Sequence, residues 1–94
     1  MDVTINGKRV TLRESLPARE NWDLMKGFGD GAEFKDMSFD QATDIFRRFV
    51  ETWDYDGDPA LVESYAGLDL FKEYMPLMQA VAERITALMG NAKN

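Results

Sequence analysis

The dipeptide Asn6-Gly7 lies between two short runs in which apolar and polar residues alternate, residues 1–5 and 8–12. A two-residue type I′ turn needs positive φ at both central positions, and Asn-Gly reaches it at the least steric cost. The chain therefore begins with a β-hairpin, and counting outward from the turn fixes its register. Ile5 falls opposite Lys8, Thr4 opposite Arg9, Val3 opposite Val10 and Asp2 opposite Thr11, so Met1, Val3, Ile5, Val10 and Leu12 share one face. A lone two-stranded hairpin is marginal in water, so this face must pack on helices or on another chain. Both strand edges are expected to stay open, a first hint of assembly.

The rest reads as helix. Ser15 and Pro17 mark a helix start, and Ala18, Trp22, Met25 and Phe28 follow at helical spacing, which predicts helix one over 17–28. Gly27, Gly29 and Gly31 interrupt the pattern, and Gly29 to Met37 reads as a loop. Ser38-Phe39-Asp40-Gln41 is a capping box. It opens a second helix whose stripe is Phe39, Ala42, Ile45, Phe46, Phe49, Val50 and Trp53, with Trp53 expected in the core. Asp54 to Pro59 is a turn, a short helix is expected near Pro59–Tyr65, and Gly67 ends it. From Asp69 to Met89 the helical period returns, with Leu77, Val81, Ile85 and Leu88 as core stripe and Gly90 as stop. Pro76 cannot donate to a helical ladder, so this segment either kinks there or is two helices with Pro76 in the first turn of the second.

The fold class expected is α+β: an N-terminal β-hairpin followed by a small bundle of three to four helices. Its 94 residues form a single domain, with the hairpin at 1–13, a helical part at 14–90 and a frayed tail at 91–94. A chain of this size buries roughly 64% of its unfolded surface, enough for one modest core. Leu, Ile, Val and Phe make up 22 of the 94 residues, above the range of disordered chains.

Composition then removes most chemistry. With no His and no Cys there is no imidazole base, no thiolate and no zinc site of the usual ligands. No carboxylate pair stands out for acid and base work, so no catalytic residue, cofactor or metal is expected. Asp54, Asp56 and Asp58 resemble the start of a calcium loop, but the positions that need Gly and an acid hold Pro59 and Tyr65. The glycines at 27, 29 and 31 follow a helix and stand beside Asp30 and Glu33, which suits a connector and not a phosphate loop.

The net charge of −6 is uneven: residues 1–29 carry +1, 30–69 carry −8 and 70–94 carry +1. The longest basic runs are Lys8-Arg9 and Arg47-Arg48, so neither nucleic acid nor an anionic membrane is an expected partner. Protein surfaces remain. Met75, Met78 and Met89 near the last stripe suit a surface that adapts to varied apolar partners, the bland alternative being an irregular core. Tyr55, among three acids, is read as partly exposed and as a partner contact.

The hairpin with its Leu12-Arg13-Glu14 exit, the helices, the stretch Trp53-Asp54-Tyr55-Asp56-Gly57-Asp58-Pro59 and the closing segment from Phe71 to Met89 together resemble the tail assembly chaperones of long-tailed bacteriophages. The resemblance implies a protein of the host cytoplasm that binds the tape measure protein before the tail tube polymerises around it. The tail tube protein is a second implied partner, and the chaperone does not remain in the mature virion. It also implies a homo-oligomer, and a shorter form of a product that a frameshift extends. The competing reading is an acidic protein-binding module, an inhibitor or regulatory subunit that mimics nucleic acid with residues 30–69.

Overall fold

The computed structural model describes residues 1–29 and 33–92. The side chains of Met25 and Phe28, both in the expected first stripe, and the loop centre at 30–32 lie outside what it describes. The fold is α+β. A three-stranded antiparallel sheet, β1 (Asp2–Ile5), β2 (Lys8–Leu12) and β3 (Val50–Trp53), is ordered β1-β2-β3 and joins α1 (Ala18–Gly29), α2 (Phe39–Phe49) and α3 (Met75–Ala92).

β1 and β2 pair as Asp2↔Thr11, Val3↔Val10, Thr4↔Arg9 and Ile5↔Lys8. Asn6 and Gly7 take φ of 51° and 78°, the left-handed values the turn requires. Ile5, Val10 and Leu12 are buried in the core with Phe46, Phe49, Leu77 and Val81, whereas Met1 at the strand start is exposed.

The open edge of β2 explains the largest departure from the sequence reading. Helix two does not run to Trp53; it stops at Phe49, and Val50–Trp53 becomes the strand that covers that edge. The stretch Val-Glu-Thr-Trp is β-branched and aromatic, so it suits a strand as well as it continues the apolar spacing. Backbone hydrogen bonding decides between the two. Val10↔Trp53, Thr11↔Thr52 and Leu12↔Val50 pair across the ladder, and Arg13 N–H donates to the Phe49 carbonyl at 2.8 Å. One hairpin edge is thus closed, and the segment 14–90 is not wholly helical.

Ser38 caps α2 as its box demands, with Ser38 Oγ accepting from Gln41 N–H and Gln41 Oε1 accepting from Ser38 N–H. Ala42, Ile45, Phe46 and Phe49 are buried; Phe39 is exposed but stacks on Tyr74 with ring centroids 5.2 Å apart. Trp53 is half-buried, packed at 4.6 Å on the fully buried ring of Tyr65.

Four further expectations are corrected. In α1, Trp22 does not face the core: it is 65% exposed, because the helix breaks its dihedrals at Asn21 and turns Leu24 inward instead. The loop before α2 contains a short 3₁₀ turn, Phe34–Asp36, that buries Phe34 against Phe46. The expected helix at Pro59–Tyr65 is a 3₁₀ turn over Val62–Tyr65 only, since Asp58 spends its carboxylate on Ala60 N–H and closes a turn first. α3 continues through Gly90 to Ala92, past the expected stop and into the expected tail.

Pro76 stands in the first turn of α3, and the residues before it form one wide π turn, Leu70–Tyr74. A proline ring collides with the carbonyl four residues back, here Lys72, and a widened turn relieves that collision. Asp69 holds the turn by accepting from Phe71 and Lys72 N–H, while Glu73 Oε1 accepts from Asp69 N–H.

Candidate interaction surface

α3 buries one face, Leu77, Val81 and Ile85, and leaves its neighbouring flank half covered. Met75, Met78, Ala82, Ile85 and Met89 follow along that flank at spacings of three and four, which keeps them on one side of a helix. Two apolar grooves open along it. The first, about 620 Å³, lies by the N-terminal half of α3 between Phe34, Phe71, Met75, Met78 and Ala82, with Glu33, Lys35 and Gln79 at its rim. The second, about 300 Å³, lies by the C-terminal half. Leu16, Trp22 and Leu24 form one wall and Phe49, Ile85, Leu88 and Met89 the other, with Asn21 the one polar lining residue described.

Of the four residues singled out as partner contacts, the structure brings Met75 and Met78 together in the first groove and puts Met89 in the second. Met75 and Met89 are exposed, while Met78 is half-buried against the core. Tyr55 lies elsewhere, at the tip of the hairpin. Its hydroxyl donates to the Ile5 carbonyl at 2.9 Å, its ring meets Trp53 edge-on at 5.5 Å, and Lys8 Nζ sits 5.1 Å from the ring centre. Burial, with the Glu73 carboxylate close by, pushes the Tyr55 hydroxyl up to about 12. Glu73 itself is held below its ordinary value by the Asp69 backbone N–H first and then by Tyr55. In this chain Tyr55 ties the hairpin to the π turn.

Sequence reading missed Phe71 and Trp22 as surface residues. The signal for Phe71 was present, since 71, 75, 78 and 82 repeat the four-three-four spacing one step round from the core stripe. Trp22 carried no such signal, because only the backbone break at Asn21 turns it outward.

Part of the acidic block is engaged within the chain. Asp44 pairs with Arg47 and Arg48, Asp54 accepts from Arg9 N–H at 3.1 Å, and Glu51 faces Arg13 at 3.9 Å. Among the described residues no three acids come together as a metal site, and no helix is long and apolar enough to cross a membrane. Compared with protein-family models, curated proteins and solved structures, the chain has no match.

Proposed function

We propose that this protein is a tail assembly chaperone of the long-tailed-phage type, one small domain that binds an apolar helical stretch of the tape measure protein in the host cytoplasm and leaves before the virion is complete. The observation that carries the reading is the groove between α1 and the C-terminal half of α3, lined almost wholly by apolar side chains, with exposed Trp22 and Met89 at its mouth. A client helix can lay residues at i, i+3, i+4 and i+7 into such a groove, and methionine adapts to whichever side chains arrive. In this reading the N-terminal hairpin closes the far side of the helical core, the chaperone self-associates, and its charge of −6 keeps the complex dispersed.

Co-expression with a tape measure protein, followed by pull-down at low and high salt, tests it. Apolar burial carries the affinity, so the complex should survive about 0.5 M salt, where screening acts within a few ångströms. Trp22→Ala should weaken recovery. Capture of a basic partner that is lost over the same salt range would favour the nucleic-acid mimic, whose support is the −8 block.

A further inference from the structure

Arg47-Arg48, one of the two longest basic runs in the sequence, takes no part in the apolar groove, yet it stands at that groove's end. A polar cleft of about 410 Å³ is lined there by Arg13, Arg47 and Arg48, three of the chain's six arginines, with Glu20 the one acid among the described lining residues. Leu16 and Asn21 line both this cleft and the apolar groove by the C-terminal half of α3, so the two adjoin. Within a chain of net charge −6 the cleft sets three positive charges against one negative, a local reversal of sign. Its guanidinium groups are held in place without being saturated. Arg48 gives Nη1 to Asp23 at 2.8 Å and Nη2 to Asp44 at 2.9 Å, and Arg47 gives Nε to Asp44 at 2.8 Å and Nη2 to the same carboxylate. Among the described residues this leaves Arg48 Nε–H and Arg47 Nη1 to donate, while Arg13 meets Glu51 only at 3.9 Å, too far for a hydrogen bond. None of those three carboxylates lines the cleft.

We propose that this cleft receives carboxylates of the client, so that the segment bound is an apolar helical stripe flanked directly by Asp or Glu. The proposal rests on the chaperone reading for its helix and on the arginines for its acids. A planar guanidinium fork matches a carboxylate, and donors already fixed by neighbouring acids lose little freedom when another anion arrives. Apolar burial holds the helix, and the arginines choose among apolar helices, since charge complementarity acts on specificity and approach more than on affinity. A basic flank would meet three cations there and be rejected.

Two synthetic helical peptides, titrated against the full chain, test it: both carry Leu at i, i+3, i+4 and i+7, one flanked at both ends by Glu-Glu and the other by Gln-Gln. The Glu peptide should bind about tenfold tighter at low salt, and the gap should close toward about 0.5 M salt while both peptides stay bound. The double variant Arg13→Gln, Arg47→Gln, at positions that are not buried, should erase the gap and leave the Gln peptide's affinity and the melting temperature as in wild type. Equal binding of the two peptides, or a gap that persists in the double variant, overturns the proposal and leaves the groove reading intact. Acetyl-Glu-Glu-amide, which has no apolar stripe, tests the cleft by itself and should shift the Nε–H resonances of Arg13, Arg47 and Arg48. Those shifts without binding of either Leu peptide would remove the helical client and keep the carboxylate site. No shift, or tighter binding of inorganic phosphate at the same arginines, would overturn the carboxylate assignment.

Discussion

Thr43 is fully buried on α2, and its Oγ1 lies 2.7 Å from the Tyr74 hydroxyl, joining α2 to the π turn across a core that is otherwise apolar. Removing one partner leaves a buried hydroxyl without its bond. Thr43→Val should therefore cost about 1–3 kcal/mol in denaturant melts, and adding Tyr74→Phe should recover much of that loss. Full additivity of the two changes would show that the bond contributes nothing. Gly57 is a second such position, with φ of +89° and space for a Cβ only 2.8 Å from Ser64 Oγ, while its carbonyl accepts from Trp53 Nε1. Gly57→Ala should cost about 1–3 kcal/mol, since both the backbone region and the neighbouring side chain resist it. The turn at Gly57 was legible in its acidic, proline-flanked surroundings. The Thr43 bond was not, because a threonine among helical residues says nothing about a tyrosine 31 positions away.

At the scale of elements, the hairpin register and the capping box were legible because each depends on a few adjacent residues whose chemistry admits one geometry. The boundary between α2 and β3 was not, because two local preferences were nearly balanced at Val50 to Trp53 and a strand 40 residues earlier decided between them. The buried part of the α2 stripe is the firmest ground for a stability test. Phe46 packs against both Phe34 and Tyr74 with ring centroids 5.3 and 5.2 Å away, and Phe46→Ala should cost about 3–5 kcal/mol. α1 is held differently, through the Asp23–Arg48 pair at 2.8 Å and the packing of Leu24. The hydrogen bond from Arg48 depresses the Asp23 carboxyl in the folded chain. A depressed folded value means that the contribution is complete above the unfolded carboxylate range, near about 4, and is lost as pH falls through the folded value. Trp22 fluorescence, read from pH 6 downward, should report this loosening of α1. Asp23→Asn should flatten that response; an unchanged titration in the variant would show that another carboxylate is responsible.

For the whole molecule, the grooves along α3 were only half legible. Spacing marked Met75, Met78 and Met89, but the walls opposite them come from Phe34, Leu16 and Trp22, which no periodicity joins to α3. The acidic turn is a place to check the reading of charge. Asp54 and Asp58 already accept backbone hydrogen bonds, so millimolar calcium should leave the melting temperature almost unchanged, where a native-state ligand would raise it.

The π turn also has a consequence for the length of the chain. A π turn holds one residue more than the α turn it replaces, and one residue is about 100° of helical rotation. Were the turn Leu70–Tyr74 closed to α geometry by deleting Lys72, Phe71 would swing by about that angle around the axis of α3, away from the position it now holds. Presentation of the ring outward is thus encoded by residue count as much as by residue type. A deletion that preserves helical circular dichroism yet changes the solvent exposure of that ring would read that count directly.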